Sequence, residues 1–158
     1  INFGGGWHSD MSFLEVPALG SILHAIEVPE VGGDTMFASQ YAAWDALTPG
    51  LQKTLEGLRA IHSAAEEYGV GGASSKKRAS MDSEVVGDDV PEYEHPVVRT
   101  HPETGRKGLY VNPAFTLRFA GWPFATRRRG EPAGLLPIAA ELVFRLVSIP
   151  TSSRKAQP

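Results

Sequence analysis

The chain has no cysteine among its 158 residues, so neither a disulfide nor a thiolate metal site can form. Zinc fingers, iron–sulfur clusters and disulfide-stapled secreted scaffolds are excluded together. No apolar run approaches the ~18 residues that cross a bilayer, and the first residues, Ile1 to Asp10, lack the charged start and apolar centre of a secretory leader. Excess positive charge is missing as well. The formal net charge is −3, which removes the whole-molecule electrostatic case for binding nucleic acid. Small molecules or proteins are left as partners, and the composition suits the cytosol. Histidine is scarce: there are five, and none follows Gly121.

What is present suffices for one modest core, at 42% hydrophobic and 21% charged residues, but not for two ordinary domains. Gly20 to Val28, GSILHAIEV, is β-favouring and apolar on both sides, which predicts a central strand buried on both faces. Pro29 to Asp34 supplies a tight connection, and a short strand is expected over Thr35 to Ala38. Ser39 is placed to cap a helix running to Leu47, and Thr48 to cap a second with Pro49 at its first position, where a missing N–H costs nothing. Leu51, Leu55 and Leu58 give that helix one apolar stripe. Arg59 to Ala64 returns to a strand pattern. Residues 65–94 are too polar and glycine-rich for a packed core and are expected to form a mobile loop or lid. His95 to Thr100 and Lys107 to Asn112 form two strands joined by HPETGR, with proline near the turn start and glycine near its end.

The sharpest cluster is Trp7-His8-Ser9-Asp10. On a strand, residues two apart project to one face, so His8 and Asp10 can offer an imidazole nitrogen and a carboxylate oxygen to one point. That is two-thirds of the facial triad, two histidines and one carboxylate, of non-haem Fe(II) oxygenases. An ordinary polar strand end is the plain alternative.

FGGGWHSDMSF, GGDT and HPVVRTHPETGRKGLYVNPAFT, in this order and at this spacing over roughly Phe3 to Gly121, resemble the taurine dioxygenase family of Fe(II)/2-oxoglutarate-dependent dioxygenases. The resemblance implies a mainly β fold with flanking helices, a double-stranded β-helix or jelly roll, with residues 1–121 forming an incomplete version of it. It places His8 and Asp10 as the first two iron ligands, and Thr35 as the hydroxyl that hydrogen-bonds a carboxylate of 2-oxoglutarate. Tyr110 matches an aromatic position lining the substrate pocket, with core packing as the equal alternative. The implied reaction consumes 2-oxoglutarate and dioxygen, releases succinate and carbon dioxide, and hydroxylates a small organic acid. A cover such as 65–94 would keep water from the site, although a solvated linker explains it equally well.

The chain departs from the pattern after Gly121. The family supplies its third iron ligand, a histidine, and an arginine that pairs with 2-oxoglutarate beyond the LYVN segment, and neither can be placed here. Residues 122–158 carry a net charge of +4 against −7 for the rest. Arg127, Arg128 and Arg129 read as a solvated basic patch. The expectation is a fragment with a divergent, basic, shifted-frame tail. Since the chain opens on Ile1 within a glycine-rich stretch, natural sequence is expected upstream. The competing readings are a non-catalytic jelly-roll remnant acting as a structural or interaction protein, a homo-oligomer that completes the site, and a metal-assisted hydrolase at His8 and Asp10.

Overall fold

The computed structural model describes residues 7–32, 35–68 and 90–122. Two short helices come first, α1 (Gln40–Asp45) and α2 (Pro49–Leu55). Both begin as the sequence dictates. The Ser39 hydroxyl accepts the Ala42 N–H at 3.2 Å, and the Thr48 hydroxyl accepts that of Leu51 at 3.5 Å, each satisfying a donor that has no partner within its helix. Leu55 is buried while Leu51 is exposed, and Leu58 reaches the core just beyond the helix end.

The strands are β1 (Arg59–Ser63), β2 (Glu92–Pro96), β3 (Val98–Thr100), β4 (Lys107–Leu109) and β5 (Thr116–Phe119), with a single turn of helix, α3 (Ala65–Tyr68), after β1. β1 lies between β2 and β5 in an antiparallel three-stranded sheet, and β3 and β4 form a separate two-stranded hairpin. Burial in β1 falls on Ala60 and His62, two apart on one face, and on Ser63. Between Ile61 and His62 the pairing with β5 slips, opposing His62 to Thr116. Such an irregularity turns the strand and re-aims its side chain. Ala43, Trp44 and Leu47 from the first helix region, Leu55, Ala60, Val97, Leu109 and Phe119 make one core.

The β3–β4 hairpin forms where HPETGR predicts it. His101 N–H donates to the Arg106 carbonyl at 2.8 Å and Gly105 N–H to the His101 carbonyl at 2.9 Å, with Gly105 at φ 67°. An alanine there would hold its Cβ in the left-handed region, so Gly105→Ala is expected to lower unfolding free energy by about 1 kcal/mol in urea. Gly108 has a different reason. A Cβ at that position would lie 3.3 Å from Tyr41 Cδ1, so glycine lets α1 settle against β4.

Three expectations are corrected. The stretch 20–28 is not a strand: Ile22 is 98%, Leu23 76% and Ile26 96% exposed. A strand's backbone donors and acceptors need a neighbour, and none of the described strands pairs with this segment. For the same reason Thr35 to Ala38 is irregular and exposed rather than a strand. The polar region 65–94 is bounded more narrowly than composition suggested, since α3 occupies its start and β2 begins at Glu92. Its middle, 69–89, lies outside the described residues, as do Gly33, Asp34 and the basic tail from 123. β5 carries no sequence signal strong enough to predict it. The described residues form two small sheets, not a complete jelly roll, and no helix among them is long and apolar enough to cross a membrane.

Candidate metal site and its buried support

His8 and Asp10 come together, though not on a strand. Residues 7–9 are irregular and Asp10 opens a turn, yet His8 Nε2 stands 3.2 Å from Asp10 Oδ1. The turn achieves what the alternation of a strand was expected to do. Asp10 Oδ2 accepts the Ser21 hydroxyl at 3.2 Å, which leaves Oδ1 as the oxygen facing the imidazole. The two side chains keep 32% and 57% exposure, so an ion could reach them. Phe115 meets the His8 ring edge to face, with centroids 6.3 Å apart at 85°.

The donor set fits a divalent cation. A 3.2 Å separation is what two adjacent ligands would show at about 2.1 Å from one ion, where it subtends roughly 100°. Imidazole with carboxylate suits a borderline metal such as Fe(II). Among the described residues no group of three or more His, Asp or Glu side chains is arranged to hold an ion, so the third ligand is not found there.

The other histidines have other tasks. His24 is exposed, and His101 Nδ1 receives the Glu103 and Thr104 N–H groups within the hairpin turn. His95, on β2, donates from Nε2 to the Leu14 carbonyl at 2.8 Å. His62, on β1, is fully buried, as is Ser12, with Nδ1 3.1 Å from the Ser12 hydroxyl.

Neither Ser12 nor Asn112 stands out in the sequence, yet they organise this region. Asn112 Oδ1 accepts the Phe115 N–H at 2.9 Å, which fixes the orientation of the amide and makes Nδ2 the donor to Ser12 Oγ at 3.1 Å. The Ser12 hydroxyl, which accepts from Asn112, also shares a hydrogen bond with His62 Nδ1 at 3.1 Å. The other ring nitrogen, Nε2, is buried without a hydrogen-bond partner among the described residues. Burial, reinforced by nearby His95 and only partly offset by the Tyr110 backbone, lowers the His62 pKa to about 4.

Tyr110 is buried directly after β4. It stacks on His62 at 5.5 Å and meets His95 edge to face at 5.5 Å, with the Arg99 guanidinium 4.5 Å from its ring centroid. Its phenol titrates above the usual range because of burial, opposed by the Arg99 charge. Thr35 lies on the exposed irregular segment leading to α1.

Comparison with known proteins identifies the family. The family model described as taurine catabolism dioxygenase TauD, TfdA family matches residues 1–154, further than the Phe3 to Gly121 span in which motifs are legible. An alpha-ketoglutarate-dependent 2,4-dichlorophenoxyacetate dioxygenase of Cupriavidus pinatubonensis is 40% identical over 122 residues, covering 77% of this chain and 40% of the relative. An alpha-ketoglutarate-dependent sulfonate dioxygenase of Saccharomyces cerevisiae is 36% identical over 139 residues, covering 88% and 31%. The crystal structure of AAD-2 in complex with Mn(II) and N-oxalylglycine superimposes with a TM-score of 0.64 and 29% identity, covering 91% of this chain and 51% of that one. The chain thus spans less than half the length of these two curated relatives.

Proposed function

Because the chain belongs to the taurine catabolism dioxygenase TauD, TfdA family, we propose that it forms part of a jelly-roll, Fe(II)- and 2-oxoglutarate-dependent dioxygenase that hydroxylates a small organic acid. The observation that carries this reading is the 3.2 Å approach of His8 Nε2 to Asp10 Oδ1 within the family match. These two residues would hold Fe(II), and the loaded centre would couple oxidative decarboxylation of 2-oxoglutarate to substrate hydroxylation. Ser21 holds one carboxylate oxygen of Asp10 and leaves the other toward His8, while Phe115 meets the imidazole edge to face. Thr35 is assigned to a 2-oxoglutarate carboxylate and Tyr110 to the substrate pocket wall. An acidic substrate is supported by the two relatives, which are named for a sulfonate and for an aryloxyacetate.

A second reading, a non-catalytic member of the family, is favoured by the absence of a third ligand among the described residues. Turnover separates the two. With Fe(II), ascorbate and 2-oxoglutarate, the enzyme reading expects succinate to form in step with dioxygen consumption, and expects both to stop in Asp10→Ala. A folded wild-type protein producing no succinate above that variant would establish the non-catalytic reading instead.

A further inference from the structure

We propose that Ser12, Asn112 and His62 are positioning residues that clamp His8 and Asp10 into one ligand pair. This rests on the assignment of His8 and Asp10 as metal ligands. Between the pair and its support stands Met11, the one described non-glycine residue with positive φ, at 56°. A side chain in that conformation persists only where its surroundings enforce it, and Met11 itself, 48% exposed, has little packing to do so. The enforcement comes from residues 12–15. Ser12 is fully buried and hydrogen-bonded to His62 on β1 and to Asn112, the Leu14 carbonyl is held by His95 on β2, and Tyr93 on β2 donates to the Glu15 carboxylate at 3.1 Å. Four hydrogen bonds, made by three of these four residues, fix the turn that returns Asp10 toward His8.

Asn112 links the two sides of the pair. Its Nδ2 holds Ser12, two residues from Asp10, and its Oδ1 holds the backbone of Phe115, whose ring packs against His8. One side-chain amide therefore sets the spacing between the segment carrying the carboxylate and the aromatic wall behind the imidazole. Asn112 is itself locked, because its N–H donates to Thr116 Oγ1 at 2.9 Å and its carbonyl accepts the Thr116 N–H at 3.0 Å. The Ile61/His62 slip against β5 brings His62 opposite Thr116 and into the same network. The partnerless Nε2 of His62 is consistent with a ring placed for what Nδ1 holds.

The test is Mn(II) affinity of the full chain, read from the electron paramagnetic resonance signal of the free ion, in wild type, His8→Ala, Ser12→Ala, Ser12→Thr, His62→Gln and Leu55→Ala. Loss of supporting hydrogen bonds typically weakens metal binding about 10–100-fold, and Ser12→Ala is expected to do so. Ser12→Thr, which keeps the hydroxyl, should recover affinity. Leu55→Ala, a core truncation remote from the pair, should lower the melting temperature without changing affinity. If Ser12→Ala fails to fold, His62→Gln decides by cutting the same hydrogen bond from the sheet side. Wild-type affinity in folded Ser12→Ala or His62→Gln, or equal weakening in Leu55→Ala, overturns the clamp and leaves the ligand assignment standing. Binding that is unaffected by His8→Ala, or no wild-type binding at all, overturns both.

Discussion

The wild-type protein is expected to give a visible charge-transfer band with anaerobic Fe(II) and 2-oxoglutarate, and replacing His8 by alanine is expected to abolish it. The band arises when the keto acid chelates a protein-held Fe(II), so it reports assembly of the site before any turnover. His8 supplies the sole imidazole at the pair, and alanine leaves Asp10 as a single carboxylate, 57% exposed and easily hydrated. One such ligand holds a divalent ion far more weakly than an imidazole–carboxylate pair, and the expected outcome is complete loss of the band at micromolar protein. The effect should be local. His8 lies in an irregular segment and contributes no side chain to the core cluster, so the far-UV spectrum and urea midpoint should stay close to wild type. A wild-type band that survives in folded His8→Ala would place the iron elsewhere and remove the basis of the proposed function.

That His8 and Asp10 approach each other was legible from their spacing, two positions apart, and the flanking family motifs made them the candidate ligand pair. How they meet was not legible. The sequence suggests strand alternation, whereas the structure uses a turn through a left-handed Met11, a conformation that no residue type at this position advertises. Ser12 and Asn112 escaped notice for a related reason. Each is a small polar residue in a motif-like stretch, and its importance comes from burial and from partners 50 to 100 positions away, which periodicity cannot reveal. The helix caps at Ser39 and Thr48 and the HPETGR hairpin were readable because their determinants are local. Gly20 to Val28 shows the opposite limit. Its two-faced apolar pattern describes a capacity for pairing, and whether a strand forms depends on a neighbour that the described residues do not provide.

The stability of the protein is expected to fall as pH drops from 6.5 toward 4, with His62 responsible for about 3 kcal/mol of the loss. In the folded state His62 titrates near 4, against an ordinary 6.5. Above pH 6.5 the ring is neutral in both states and adds no pH dependence. Between the two values the unfolded chain binds a proton that the folded protein refuses, so acid favours unfolding. Below 4 both states are protonated and the loss is complete, at ~1.4 kcal/mol for each pH unit between the two titration points. The physical origin is the buried site. Protonation would place a charge beside His95 in a buried enclosure stacked under Tyr110. Urea unfolding at about pH 7, 5.5 and 4 checks this in wild type and His62→Gln. The variant should be less stable at neutral pH, having lost its bond to Ser12, but its stability should fall less on acidification, closing the gap by about 3 kcal/mol. Asp and Glu titrations are common to both proteins and cancel in the difference. Parallel pH profiles for the two would mean that the His62 ring is protonated as readily folded as unfolded, and burial would then not be what holds it neutral.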